Sequence, residues 1–123
     1  MGAPKSGLLR NWQSETATIA NNTAVSGSIL IAGRPIVSIV MPEGWTQASL
    51  TFDITACAGG TFYPLRDGDN VEVRIQPSAS TAISASQLDH LAGWYGFRIR
   101  SGCGVASAVN QGAARTFVVC KEG

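Results

Sequence analysis

Apolar and polar residues alternate along three runs of the chain, residues 48–55, 70–75 and 95–100. In the first, Leu50, Phe52 and Ile54 are separated by Thr51 and Asp53. In the second, Val71, Val73 and Ile75 flank Glu72 and Arg74; in the third, Phe97 and Ile99 interleave with Arg98 and Arg100. A period of two places the apolar set on one side of an extended chain and the polar set on the other. These are strands of an antiparallel sheet that packs one face on a core.

Further extended segments are predicted at residues 15–20, 28–32, 61–65, 81–84 and 113–121. Another, at 35–41, turns Val37, Ile39 and Met41 one way and Ile36, Ser38 and Val40 the other, so it reads as apolar on both sides. Turn residues divide the segments: Asn21-Asn22, Gly33-Arg34-Pro35, Pro42-Glu43-Gly44 and Arg66-Asp67-Gly68-Asp69. One short helix is predicted near 86–92, with Ser86 as its cap, Asp89 at the capping-box spacing and Gly93 as its end. Eight or nine short strands and one stub of helix define an all-β fold, a single-domain antiparallel β-sandwich of jelly-roll type.

The expected organisation is an N-terminal arm over residues 1–14 and a sandwich over 15–123. The arm has Gly2, Pro4 and Gly7, two bases, no acid and no period. Two readings stand for it: a frayed terminus, or a partner-binding segment anchored by Leu8, Leu9, Arg10 and Trp12. Charged residues are 14% of the chain, well below the usual quarter. A surface poor in charge and rich in small residues suits either a turn-rich β protein or one packed against neighbours. The net charge of +1 gives no basic footprint for nucleic acid. No apolar run is long enough to cross a bilayer as a helix. Residues 1–13 have no apolar signal core, so synthesis in the cytoplasm without Sec export is expected.

Catalytic and metal-binding patterns are sparse. His90 is the only histidine, and it has no neighbour at ligand spacing. Glu43, Asp53 and Glu72 are scattered, and Asp67 and Asp69 fit turn chemistry better than calcium. No nucleophile elbow and no phosphate cradle occur. The expectation is a protein with no enzymatic activity, no cofactor and no metal. Arg98 and Arg100, two apart on one strand, are a solvated face or a contact for an acidic partner surface. Cys120 reads as a small buried hydrophobe. Cys57 and Cys103 each sit in a Gly-rich loop just past a strand and form a disulfide if both loops lie at one end of the sheet.

Four segments carry a resemblance: Met41-Pro42-Glu43-Gly44-Trp45 through Phe52, Gly60-Thr61-Phe62-Tyr63-Pro64-Leu65, Phe97-Arg98-Ile99-Arg100-Ser101-Gly102, and Val109-Asn110-Gln111-Gly112 through Arg115-Thr116. In this order the chain resembles small β-sandwich structural proteins of tailed bacteriophages, over roughly residues 15–121. The resemblance implies a virion structural protein, foremost a capsid decoration protein that binds the assembled head through its arm and sandwich surface. It equally admits a neck, tail or fibre component. The implied partners are the major capsid protein or other virion proteins, with the chain itself a homo-oligomer or a multi-copy lattice. The family pattern has an Asp before the position of Phe62 and a Thr after Ser-Gly; here both loops carry a cysteine instead, which adds weight to a Cys57–Cys103 pair. The chain is also similar in layout to discoidin-like sandwiches that bind sugars. A glycan stacked on Trp45, Tyr63, Trp94 or Tyr95 is the alternative ligand.

Overall fold

A computed structural model describes residues 13–103 and 108–122. Nine strands form two antiparallel sheets, as the alternation requires: β1 (Gln13–Ile19), β2 (Ile29–Leu30), β3 (Ile36–Val40), β4 (Leu50–Thr55), β5 (Tyr63–Pro64), β6 (Arg74–Ile75), β7 (Ala82–Ile83), β8 (Gly96–Ser101) and β9 (Arg115–Lys121). Sheet I has the order β1-β9-β3-β7. Sheet II has the order β2-β8-β4-β5, with β6 paired to β4 as well. β1 begins at Gln13, not Glu15, because Gln13 and Ser14 pair with Lys121 and Cys120.

The core lies between the sheets. Sheet I contributes Ala17, Ile19, Ile39, Phe117 and Val119; sheet II contributes Ile29, Leu50, Phe52, Ile54, Phe97 and Ile99. Phe52 and Phe97 meet edge-on with centroids 5.9 Å apart, and Trp45 meets Phe117 in the same manner at 5.5 Å. Burying one such aromatic side chain stabilises the fold by roughly 1.5–3 kcal/mol. These contacts tie the loop before β4 to the middle of β9.

β3 departs from its expected facing. The register against β9 shifts between Ile36 and Ser38, a bulge at Val37. The extra residue returns Ile36 to the core beside Ile39 and Met41, and leaves Val37 half-buried. Val40 on the outer face stays 38% exposed, so β3 is apolar on both sides without being buried on both.

The segment 70–75 is strand only at Arg74–Ile75. Residues before it belong to a side hairpin in which Arg66 bridges Glu72. Asp67 organises its turn: its Oδ1 accepts from the backbone N–H of Val71 at 3.0 Å and of Asp69 at 2.8 Å. Those two donors hold the Asp67 carboxyl below its ordinary value of 3.8.

The helix is a 3-10 helix, Ser86–Leu91, with Ala85 as its N-cap and no side-chain cap. Ser86 is thus its first residue and not the cap. A six-residue 3-10 piece is held by what it buries, here Leu88 and Leu91, which join the core. Gly93, at φ +89°, releases the chain toward β8 as expected.

Candidate functional site

The two ends of the sandwich differ in kind. One end is closed by a polar lock around Gln111, which is fully buried. Its Nε2 donates to the Thr46 carbonyl at 3.0 Å and to Ser101 Oγ at 2.8 Å. Its Oε1 accepts from Thr46 N at 2.8 Å and from Arg115 Nε at 3.1 Å. Its backbone N–H reaches Thr23 O, and its carbonyl accepts from Asn22 N, both at 2.9 Å. Every donor and acceptor of the residue has a partner, so three loops and the ends of β8 and β9 are fixed to one side chain. No periodicity marks such a residue; in the sequence it stands out only as part of the Asn110-Gln111…Arg115-Thr116 segment.

The other end is open. There β4 finishes at Thr55, opposite Gly96, the first residue of β8, and Gly96 pairs with Leu30. β1 begins and β9 finishes at this end too, since Gln13 pairs with Lys121, whose Nζ donates to the Leu30 carbonyl at 2.8 Å. Lys121 is 3% exposed and also pairs with Glu15, so it joins both sheets at this margin. Four aromatic residues collect here as two dipeptides, Phe62-Tyr63 and Trp94-Tyr95, of which Trp94 also packs against the core; the other described aromatics belong to the core or pack on it.

Two clefts flank those dipeptides. A cleft of about 380 Å³ on the outer face of sheet II is bounded by Leu30, Phe62, Tyr95, Cys57 and Glu15, with Gly96 and Thr55 as its floor. A Cβ on Gly96 would stand 3.0 Å from the Ile29 carbonyl, tighter than ordinary van der Waals contact, so a larger residue fits there only if that backbone gives way. A second cleft, about 330 Å³, is lined by Tyr63, Trp94, Pro64 and Arg66 and is mostly apolar. Leu30, Tyr63 and Tyr95 are 44%, 60% and 38% exposed.

Among the described residues, the paired positions on the outer face of sheet I carry no charge. Directly opposed residues form the rows Thr16–Val118–Val40–Ala82, Ser14–Cys120–Ser38 and Thr18–Thr116. The Thr18 and Thr116 hydroxyls are 2.9 Å apart. Nine cross-strand neighbours without one ionised group form a surface that is cheap to desolvate and that another backbone can approach closely.

Several expected site residues fall elsewhere. The Cys57–Cys103 pair does not form, and both thiols are free. Cys57 follows β4 at its Thr55 end, whereas Cys103 follows β8 at the end where Ser101 pairs with Leu50. Antiparallel neighbours send the loops that follow them to opposite ends, so a strand's length, roughly 17 Å at ~3.4 Å per residue, separates the two cysteines. Cys120 lies on the outer face of sheet I, half-buried, not in the core.

Arg98 and Arg100 do not form a free basic stripe. Arg100, 5% exposed, places Nη1 3.4 Å from Asp53 Oδ1; Arg98 Nη2 lies 3.7 Å from Asp53 Oδ2. The Arg98 guanidinium also stacks 3.9 Å over the Phe62 ring. The cluster lies on the outer face of β4, opposite the core-facing Leu50, Phe52 and Ile54, and all six β4 residues are buried. Trp45 is packed against the core and donates to the Ala48 carbonyl at 3.3 Å, so it offers no platform to a sugar. His90 sits on the 3-10 helix, and among the described residues no three His, Cys, Asp or Glu side chains converge to hold a metal. Leu8, Leu9, Arg10 and Trp12 lie outside the described residues.

No helix among the described residues is long and apolar enough to cross a membrane. No protein-family profile and no curated protein matches the chain. Among solved structures, the fold is similar to that of the SPBc2 prophage-derived protein YomS, with a TM-score of 0.50 and 9% sequence identity, over 91% of this chain and 95% of that one.

Proposed function

We propose that the chain is a structural protein of a bacteriophage virion, and specifically a capsid decoration protein that seats the outer face of sheet I on the assembled head. The observation that carries this reading is that uncharged face, nine opposed residues across four strands. A solvated sheet face ordinarily mixes charges into its polar positions; one made of Ser, Thr, Val, Ala and Cys suits close packing on another protein. Fold likeness to a prophage-derived protein over nearly the whole chain supports a phage origin. The role asks for binding and rigidity, not catalysis, and the Gln111 lock supplies a rigid frame.

The test is co-sedimentation with purified heads, purified tails and free coat subunits of the phage that encodes the chain. Binding to assembled heads alone is expected. Val40→Glu or Val118→Lys, each placing a charge in the middle row, should weaken it at least tenfold while leaving the circular dichroism spectrum unchanged. Recovery with tails and not with heads would move the protein to the neck, tail or fibre.

A second reading has a specific observation behind it. Tyr63 and Trp94 line one cleft together, and neither the phenol nor the indole N–H has a hydrogen-bond partner among the described residues. The exposed Tyr63 ring, with the half-buried Trp94 beside it and both donors unspent, suits a sugar. Indole fluorescence that shifts on adding a glycan, and stops shifting in Trp94→Ala, would favour that carbohydrate-binding module over a purely structural role.

A further inference from the structure

The chain enters β1 at the open end, and the cleft over Gly96 opens at the same end. Gln13, the first described residue, pairs with Lys121, and Glu15, two residues on, lines the cleft. The twelve residues before Gln13 contain Leu8, Leu9 and Trp12, together with Lys5 and Arg10 and no acid. The cleft offers the complement. Its walls are Leu30, Phe62 and Tyr95, its floor is Gly96 and Thr55, and among the described residues its one charged lining residue is Glu15. Glu15 pairs with Lys121 yet keeps 41% of its side chain exposed. A volume of about 380 Å³ is at the small end of ligand sites, about 300–1,000 Å³, and suits one or two apolar side chains.

We infer that the cleft receives the N-terminal arm of a second copy of this chain, with Leu9 set over Gly96 between Leu30 and Tyr95, and Arg10 beside Glu15. The inference goes beyond the virion role and holds wherever in the particle the protein sits. Direction decides between a second copy and the same one. β1 leads out of the open end at Gln13, and an arm returning into its own cleft must reverse within the residues next to it. From Leu8 to Gln13 the sequence has neither Gly nor Pro, and Asn11 is its one turn-forming residue. Four residues separate Leu9 from Gln13, a reach of at most about 14 Å at roughly 3.5 Å per residue. A neighbour presenting the same open end would receive it there. Donor and acceptor lie at one end of each copy, so the exchange is reciprocal and closes on a two-fold axis.

Cys57, exposed on the cleft wall, provides the readout. In full-length chain with Cys103→Ser and Cys120→Ser, one population carries Leu9→Cys with Cys57→Ser, and a second retains Cys57 as its only cysteine. The expected result, on mixing under mild oxidation, is a disulfide-linked dimer of the two that is lost on reduction. An Asn110→Cys copy, with its thiol at the locked end, should give at least tenfold less. No dimer from the mixture, equal yield from Asn110→Cys, or a Leu9→Cys/Cys57 single chain that forms only an internal disulfide would each overturn the inference. Circular dichroism of each variant separates a failed exchange from a failed fold.

Discussion

Gln111→Ala is expected to lower the unfolding free energy by about 4 kcal/mol, measured by urea denaturation with an unchanged m-value. The truncation removes both side-chain hydrogen-bonding groups at once. Left behind are the Thr46 N–H and carbonyl, the Ser101 hydroxyl and Arg115 Nε, each of which now bonds to Gln111 at 2.8–3.1 Å. A buried group stranded in this way costs about 1–3 kcal/mol, and water recovers part of it at Thr46, which is only half-buried. Gln111→Glu separates the two halves of the lock. It keeps an acceptor for Thr46 N and Arg115 Nε but sets an oxygen against the Thr46 carbonyl, so a comparable loss is expected although the shape is conserved. Native-state hydrogen exchange localises the effect: the amides of Thr46 and Asn22 should lose protection before those of β4 and β8. A loss under 1 kcal/mol would mean that the loops at this end hold without Gln111.

Much of this architecture is written in the alternation of side chains. Phe52 and Ile54, Phe97 and Ile99 are all core residues, placed there by a period of two that the sequence shows directly; Phe117 and Val119 are core too, but the unbroken apolar run Phe117-Val118-Val119-Cys120 does not show which face turns inward. What escapes the pattern does so for physical reasons. Val37 is a bulge residue, and a bulge advances the facing of a strand by one without altering composition, so Ile36 reads as outward and packs inward. The Cys57 and Cys103 loops look alike locally, but which end of the sheet each occupies depends on strand pairing, and β4 against β8 is antiparallel. Residues 70–73 alternate like a strand, yet the carboxylate of Asp67 turns the backbone amides of Asp69 and Val71 toward itself and away from a ladder.

The candidate site was legible only as a list of parts. Leu30, Phe62, Tyr63, Trp94 and Tyr95 come from three separate segments, and nothing in their spacing brings them together. Pairing Leu30 with Gly96 and Gly96 with Thr55 does so. The uncharged face of sheet I is hidden in the same way: Ser14, Cys120 and Ser38 are unremarkable in sequence and become one row only through the register of three strands. Low overall charge hints at such a face without locating it.

Asp53→Ala is expected to cost about 3 kcal/mol, by the same measurement. Asp53 is the carboxylate that Arg98 and Arg100 share, on a strand buried from end to end. Arg100 is 5% exposed, so losing this counter-charge is felt in a low-dielectric setting where water gives little back. Arg98 is different: its side chain is 35% exposed and its guanidinium rests on Phe62. Arg98→Ala should therefore cost about 1 kcal/mol, the order of a partly solvated cation–π contact. Asp53→Asn discriminates charge from shape. If the ionic attraction dominates, Asn is nearly as damaging as Ala; if the hydrogen bond to Arg100 Nη1 dominates, Asn recovers most of the loss. The double variant Asp53→Ala/Arg100→Met should be more stable than Asp53→Ala alone, because an apolar side chain of similar length leaves no buried cation without its carboxylate. A double variant less stable than the single one would show that the Arg100 guanidinium is held chiefly by partners other than Asp53. The cluster would then be a cover over β4 whose ion pairs add little to stability.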